Sequence, residues 1–159
     1  MSILLNMLKI KEYHGKAAVH MLGGSYEAKT VLSKKIDDGK CYVYGIDIFG
    51  KIVGRVCLST ELKDKSLADG KTVCYLSHLY VNSRFRGRGI GSKLVNHVID
   101  SAKKMGFSYV TLGVDETIDK NVNLYKRLGF NTLVGQWKNS SNKETVNNCI
   151  VLKKDLMEE

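Results

Sequence analysis

The sequence contains no proline. It also contains no CxxC pair and no long apolar run, and each of these two absences excludes a class of protein. Without closely spaced cysteines it carries no zinc or disulfide-exchange motif, so we expect no metal site. No apolar run approaches the length that spans a membrane, and the stretch MSILLNMLKIKEY lacks the basic leader and cleavage site of a signal peptide. We therefore expect a cytoplasmic protein without membrane attachment. We also expect its four cysteines to be buried and reduced: Cys41, Cys57, Cys74 and Cys149.

Basic residues outnumber acidic ones without forming a basic run. The 159 residues include 25 Lys and Arg against 16 Asp and Glu, which gives a net charge of +9. Such an excess is typical of proteins with an anionic partner: a nucleic acid, a membrane surface or a phosphorylated ligand. Because no recognised nucleic-acid motif accompanies the charge, we expect no nucleic-acid partner. There is no repeat and no inter-domain linker, so we expect one domain over residues 1–159, as a monomer or homodimer.

Apolar patterns along the chain predict alternating strands and helices. A short strand is expected in MLKIKEY, followed by helical residues 15–36 with a break at Gly23-Gly24 and a hairpin that turns at Phe49-Gly50. The strongest strand is TVCYLSHLYV, residues 72–81. Further strands are expected at residues 107–114, 130–137 and 148–152, and a short helix at 119–128. A longer helix has an apolar face of Ile90, Leu94, Val95, Val98, Ile99, Ala102 and Met105.

The stretch RFRGRGIG, from Arg84 to Gly91, joins the strongest strand to this longer helix. A helix start carries unpaired N–H groups and a partial positive charge, and glycines let an anion approach those donors closely. The loop therefore suits a phosphate or pyrophosphate. A P-loop would need a GK[ST] ending that is missing, and a dinucleotide site would need GxGxxG where this loop has GxGxG. A glycine-rich turn with solvated arginines is the third interpretation.

The longer segment LYVNSRFRGRGIGSKLVNHVI resembles the acetyl-CoA signature of the GNAT superfamily of N-acetyltransferases, Arg/Gln-x-x-Gly-x-Gly/Ala, at Arg86, Gly89 and Gly91. The segments LYKRLGF (124–130) and GKIVGRVCL (50–58) resemble two further parts of that family. The resemblance implies an α/β (α+β) fold with a mixed, mostly antiparallel sheet of six to seven strands, flanked by helices, whose fourth and fifth strands splay apart. It also implies an enzyme that transfers an acetyl group from acetyl-CoA to a primary amine.

The resemblance further implies which residues bind acetyl-CoA. The backbones of Leu79 and Val81 would pair with the pantetheine amides, like an added strand. Tyr125 would contact the cofactor sulfur and act as general acid. The side chains of Arg84 and Arg88 would either attract the phosphates or remain solvated. The pyrophosphate would be held by Arg86, Gly87, Arg88, Gly89, Ile90, Gly91 and Ser92.

The sequence departs from the family pattern at two places. Many relatives carry a glutamate base on the fourth strand, where this chain has Tyr75. His78 is the imidazole of that strand, and we interpret it either as a base or proton relay or, preferably, as a semi-buried structural histidine. Strand alternation puts Tyr75 and Ser77 on one face and His78 and Tyr80 on the other unless a bulge intervenes.

The second departure precedes Tyr125, where relatives often have Asn-x-x-Ala. This chain has Ile118 and Asn121 at those places. Asn121 lies one helical turn before Tyr125 on the same face, so it either takes over the cofactor contact or caps the helix.

The acceptor amine is left open by the sequence. In the resembling family it enters between segments that correspond here to residues 15–38 and 137–147. The second segment carries Lys138, Lys143 and Glu144. An acidic pocket would indicate a polycation, for which Glu27, Asp37 and Asp38 are available. A small-molecule amine, a peptide N-terminus and a protein lysine all fit, and the missing carboxylate also permits a non-catalytic acyl-CoA-binding or sensor domain.

Overall fold

The computed structural model describes residues 3–139 and 147–157, and within these residues seven strands form one sheet in the order β1-β2-β3-β4-β5-β7-β6. All neighbouring strands are antiparallel except β4 and β5, which confirms the predicted mixed, mostly antiparallel sheet. The strands are β1 (Lys11–Tyr13), β2 (Cys41–Ile48), β3 (Lys51–Ser59), β4 (Val73–Val81), β5 (Tyr109–Asp115), β6 (Thr132–Asn139) and β7 (Asn147–Asp155). The helices are α1 (Ile3–Met7), α2 (Gly15–Leu22), α3 (Tyr26–Asp37), α4 (Ile90–Lys104) and α5 (Asp119–Arg127).

The N-terminal segment differs from the prediction. Helix α1 was not expected, and the predicted strand in MLKIKEY is reduced to the three residues of β1. Tertiary contacts explain the helix: Leu5 is buried, and its carbonyl accepts a hydrogen bond of 2.8 Å from Lys93 Nζ on α4. The contact places α1 beside the start of α4.

Helices cover both faces of the sheet. Helix α4 buries every member of its predicted apolar face except Met105, which is 40% exposed because it lies beyond the last helical residue. Its side chains approach β3 closely: a Cβ at Gly54 would lie 2.9 Å from Leu94 Cδ1. Helix α2 covers the opposite face, where Ala18 and Leu22 pack on Cys41, Val43 and Cys57.

The local breaks in the chain follow the predicted glycines. Gly23 and Gly24 have positive φ angles between α2 and α3, and Ser25 then caps α3 by accepting a hydrogen bond from the Ala28 N–H at 3.2 Å. Phe49 and Gly50 also have positive φ angles, as a two-residue hairpin turn requires. Both predictions are confirmed.

The thiol prediction holds for three of the four cysteines. Cys41, Cys57 and Cys74 are buried, whereas Cys149 on β7 is only half-buried, so its predicted burial is wrong. Its strand lies one place from the sheet edge, where the cover on both faces is less complete.

The pairing of β4 with β5 positions the site. It extends over four residue pairs, from Val73 opposite Tyr109 to Leu76 opposite Leu112, and the strands then separate. The predicted splay is thereby confirmed. On its other edge β4 contains a bulge, since Cys57 of β3 pairs with Ser77 and the next paired residue, Arg55, lies opposite Tyr80.

Candidate active site

The second half of β4 presents an open edge to the space between β4 and β5. The N–H of Asn82 bonds to the carbonyl of Val53 on β3 at 2.8 Å. Because the backbone groups of successive strand residues alternate in direction, those of Val81 and Leu79 turn away from β3 toward the open side. The Val81 carbonyl accepts a hydrogen bond of 2.9 Å from Arg86 Nε. The groups of this edge that remain available to a ligand are therefore the Val81 N–H and the N–H and carbonyl of Leu79.

The loop from Arg84 to Gly91 leads directly into α4. It begins with a short 3-10 turn over Ser83–Phe85, in which Asn82 Oδ1 accepts a hydrogen bond from the Arg84 N–H at 3.0 Å. Gly89 is the N-cap of α4, and the first turn of the helix contains no acidic residue. The N–H groups of Ile90, Gly91 and Ser92 are therefore helix-start donors that suit an anion.

Two of the three glycines between Arg84 and Gly91 are required by the backbone conformation. Gly87 and Gly89 have φ angles of 75° and 85°, in the left-handed region. A Cβ at Gly89 would also lie 3.1 Å from Leu5 Cδ2, so part of its requirement comes from the fold itself. Gly91 lies in the helix, where a Cβ would meet Val81 Cγ2 at an ordinary 3.8 Å.

Three exposed guanidinium groups surround the same helix start. Arg86 lies 6.0 Å from the centre of the Tyr80 ring and Arg88 lies 5.9 Å from that of Phe85. Arg84, Arg86 and Arg88 are all exposed and bring three positive charges to a helix end that is already positive. The loop therefore combines free donors, positive charge and little side-chain bulk.

A buried phenol, Tyr125, and a half-buried one, Tyr75, lie near each other close to where β4 and β5 separate. Tyr125 on α5 is 8% exposed and packs edge-on against Phe130, with the ring centres 6.0 Å apart. Burial raises the pKa of Tyr125 to about 12, and the nearby Tyr75 adds to the shift. Burial also raises the pKa of Tyr75, Cys149 adds to it, and a hydrogen bond with the backbone of Gly113 partly offsets it. Both hydroxyls are thus protonated at pH 7 and can donate.

Sequence reasoning treated Tyr75 only as a missing carboxylate and did not predict that it would lie near Tyr125. The signal that could have revealed it was its position on β4. Tyr75 stands where relatives carry their glutamate, and it comes shortly before the residues that form the open edge.

Asn121 does not cap α5, so that alternative is wrong. The N-cap is Ile118, which makes no side-chain cap, and Asn121 stands three residues later, inside the first turn. The Asn121 side chain is exposed, and Tyr125 follows one turn further on. Its predicted cofactor contact stays a prediction.

The bulge changes the faces predicted for β4. His78 is the extra residue and has a φ angle of 58°, which is rare outside glycine. After the bulge, Leu79 and Val81 pack on the same core as Leu76, so the stated exception for a bulge applies and Tyr75 and Ser77 are not separated from His78 and Tyr80. All four of these residues lie on the face away from α4.

His78 lines a groove of about 490 Å³ between β4 and the corner of α2 and α3. Its side chain is exposed, not half-buried as predicted, and its Nδ1 lies 2.8 Å from Ser77 Oγ. Partial desolvation lowers the pKa of His78, and the nearby charge of Arg55 lowers it further. The ring is therefore neutral at pH 7. The groove is lined by Leu22, Gly23, Gly24, Glu27, Ala28, Val31, Leu32, Lys35 and His78.

The structure describes one of the two predicted acceptor segments fully and the other in part. Residues of the first segment, 15–38, line the groove. In the second segment Lys143 and Glu144 lie outside the described residues. Within residues 3–139 and 147–157 no helix is long and apolar enough to cross a bilayer, and no cluster of three or more His, Cys, Asp and Glu side chains could hold a metal ion.

Comparison with known proteins gives a consistent result. The model of the acetyltransferase (GNAT) family matches residues 12–130. An uncharacterised N-acetyltransferase of Methanocaldococcus jannaschii is 35% identical over 99 residues, which cover 62% of this chain and 42% of that protein. The thialysine N-epsilon-acetyltransferase of Mus musculus is 44% identical over 55 residues, which cover 35% of this chain and 32% of that protein. The chain thus matches less than half of the length of these curated relatives.

Solved structures show the same fold. A GNAT family acetyltransferase from Elizabethkingia anophelis, with acetyl-CoA bound, superimposes with a TM-score of 0.68 over 93% of this chain and 97% of that one. The two sequences are 16% identical, so this likeness concerns the fold alone.

Proposed function

The chain belongs to the acetyltransferase (GNAT) family, and from this premise we propose that it transfers an acetyl group from acetyl-CoA to a primary amine. One observation carries the proposal: β4 leaves its partner β5 after Leu76 and presents an open edge that runs into the basic glycine loop at the start of α4. An extended, amide-bearing arm that ends in phosphates is the ligand that such an edge and such a helix start would bind together.

The chain's own groups fit acetyl-CoA along this path. Leu79 supplies a backbone donor and a backbone acceptor, and Val81 supplies its N–H, for the pantetheine amides. The loop residues Arg86, Gly87, Arg88 and Gly89 and the helix-start residues Ile90, Gly91 and Ser92 supply the donors and charge for the pyrophosphate. Asn121 on α5 is the further candidate contact. A solved structure of the same fold with acetyl-CoA bound also supports acetyl-CoA as the proposed acyl donor.

When bound, the acetyl thioester supplies the acyl group and a thiol leaving group. The chain must then provide a proton where the sulfur departs. We assign this role to Tyr125, whose ring packs against Phe130 and whose hydroxyl is protonated throughout the neutral range. Tyr75, which is near enough to raise the pKa of Tyr125, is a second candidate donor.

The acceptor must lose a proton before or during its attack. A lysine-like amine has a pKa of about 10.4, so only about one molecule in 2,500 is neutral at pH 7. His78 is neutral at that pH, and in the tautomer whose Nδ1–H donates to Ser77 Oγ its Nε2 can accept a proton. We therefore propose His78 as the base or proton relay, reached through the groove.

The relatives support an amine acceptor without identifying it. One is named a thialysine N-epsilon-acetyltransferase, which places an amine acceptor among the proteins similar to this chain. We propose that the chain acts as a single acetyltransferase domain in the cytoplasm.

An acetyl-CoA thiol-release screen tests the function. The acceptors should include small amines, peptides with a free N-terminus and a protein lysine, and mass spectrometry should confirm N-acetylation of each positive acceptor. We expect thiol release with at least one group, and its loss in Tyr125→Phe. Acetyl-CoA binding without transfer to any acceptor would contradict the enzymatic role and leave a sensor domain.

A further inference from the structure

We infer that the acceptor is a small primary monoamine with an apolar substituent, and that the groove between α2, α3 and His78 holds this substituent. The inference rests on the proposed acetyl transfer and names its acceptor class. It depends on the shape, polarity and charge of the groove and on where the groove leads.

The apolar walls of the groove come from one stripe of α3. Ala28, Val31 and Leu32 are spaced at i, i+3 and i+4, which is the spacing of a face that a helix usually buries. Here much of this face is open: Ala28 is exposed and Val31 is 56% exposed, while Leu32 is half-buried against the core beneath α2. Leu22 at the end of α2 continues the apolar surface. An apolar group in the groove would cover this stripe.

The corner between the two helices leaves room for a ligand. Gly23 has no heavy atom within 4 Å of the position that a Cβ would occupy, and Gly24 has only Ala28 Cβ, at 3.4 Å. The volume of about 490 Å³ is that of an ordinary small-molecule pocket. The groove therefore accommodates a small amine or the first residues of a peptide.

The charges along the groove disfavour a polycation. The described residues that line it include one acidic and one basic side chain, Glu27 and Lys35, whose formal charges cancel. Arg55 adds positive charge beside His78, where its guanidinium donates a hydrogen bond of 2.6 Å to the Met21 carbonyl. A polyamine or aminoglycoside would need several carboxylates, whereas the described lining offers one, Glu27, together with the ammonium of Lys35.

The two aspartates available from the sequence do not change this balance. Asp37 and Asp38 are absent from the described lining of the groove, and Asp38 forms an ion pair of 3.4 Å with Lys34. The chain as a whole is also positive, with a net charge of +9. Its long-range field therefore repels polycations.

The groove leads to the place where the chemistry would occur. The side chain of His78 lines the groove, and its backbone belongs to the part of β4 that has separated from β5. An amine whose apolar part lies on α3 would thus extend past His78 toward the open edge at Leu79. This continuity links the groove to acetyl transfer.

A matched panel of acceptors and variants tests the inference. The acceptors are 2-phenylethylamine, a peptide with N-terminal leucine and spermidine, each assayed for kcat/KM. We expect the apolar amines to exceed spermidine by about tenfold or more, as contacts in an apolar pocket allow. The two apolar acceptors distinguish a small molecule from a peptide, and we expect the small amine to be preferred.

Ala28→Trp should fill the groove and raise KM for 2-phenylethylamine by about tenfold or more without changing acetyl-CoA affinity. Thr30→Trp adds the same side chain at an exposed site on the other side of α3 and should change nothing. Binding of 2-phenylethylamine to the coenzyme A-loaded protein, followed by NMR, provides a readout that does not need turnover.

The outcomes separate the two proposals. Transfer that favours spermidine, or that is insensitive to Ala28→Trp, overturns the acceptor class and leaves acetyl transfer standing. Binding of 2-phenylethylamine that is lost in Ala28→Trp, without transfer in the wild type, supports the groove and overturns the proposed function. Neither binding nor transfer overturns both.

Discussion

Arg86 donates a hydrogen bond of 2.9 Å from Nε to the carbonyl oxygen of Val81, and so ties the phosphate-binding loop to the strand that precedes it. The bond uses the one acceptor of Val81 that would otherwise face the open edge. It leaves the terminal nitrogens of the guanidinium free for an anion. Arg86 thus has a positioning role in addition to its charge.

Arg86→Lys should weaken acetyl-CoA binding by about 2- to 10-fold, because it keeps the charge and removes a bond that contributes about 0.5–1.5 kcal/mol. Arg84→Lys, an equivalent change in the same loop, should alter the affinity less than twofold. Calorimetric titration of both variants measures the difference. Equal affinities in the two variants would show that the bond to Val81 does not shape the site.

Ser92→Asp should separate binding from stability. An acid in the first turn of α4, where none is present now, stabilises a helix by about 0.3–1 kcal/mol, so Tm should rise slightly. The same charge would oppose the phosphates by about 3 to 4 kcal/mol at ~4–6 Å, and acetyl-CoA affinity should fall at least about tenfold.

Asn96→Asp is the matched control for this variant, since it makes the same charge change at an exposed site later in α4. It should leave acetyl-CoA affinity unchanged. A glutamate at Gly89 would be a poorer test because the φ angle of 85° and the nearby Leu5 would strain the fold as well. Unchanged cofactor affinity in Ser92→Asp would remove the pyrophosphate from this helix start.

Tyr125→Phe should lower turnover by about 10- to 10,000-fold, the upper part being the usual share of general acid catalysis. The ring and its packing on Phe130 are kept, so Tm and acetyl-CoA affinity should change little. Steady-state kinetics with an identified acceptor measures the effect. Tyr109→Phe, at the paired end of β5, is the control. Wild-type turnover in Tyr125→Phe would assign the proton to water or to another group such as Tyr75.

The lowered pKa of His78 predicts a pH effect on stability. Its folded pKa lies below the unfolded value of 6.5, so both states are neutral well above that pH. As the pH falls through 6.5 the unfolded chain binds the proton first, and stability is lost. His78→Asn tolerates the positive φ angle and cannot titrate, so its Tm should fall less than that of the wild type between pH 7 and 5.

His20→Asn makes the same chemical change at an exposed position of α2 and controls for the loss of an imidazole. An identical acid response of Tm in His78→Asn and in the wild type would contradict the shift. Separately, loss of the acid limb of the rate profile in His78→Asn would support the relay. A preserved limb would assign the amine proton elsewhere.

The sequence predicted the regular elements well because their signals are local. The breaks at Gly23-Gly24 and Phe49-Gly50 and the apolar face of α4 each depend on neighbours in the chain. The splay of β4 and β5 was available only through the family resemblance, since nothing in either strand marks where their pairing ends.

The features that were missed depend on contacts between distant residues. Helix α1 has too few residues to be stable alone and exists because Leu5 packs against α4 and Lys93 bonds to its carbonyl. The bulge at His78 places a non-glycine residue at positive φ, and strand alternation cannot show such a shift in advance. The bulge therefore moved His78 and Tyr80 to the face of Tyr75 and Ser77, where His78 lines the groove.

The short pairing between β4 and β5 divides the sheet into two halves. One half contains β1 to β4 and the other contains β5, β7 and β6, and only four residue pairs join them. An extended ligand amide chain lying along the separated part would act as a non-protein strand that lengthens this seam. Its binding would therefore add contacts between the two halves of the sheet, so that they unfold as one cooperative unit. Backbone amides on both sides of the seam, far from the phosphates, would then exchange with solvent more slowly.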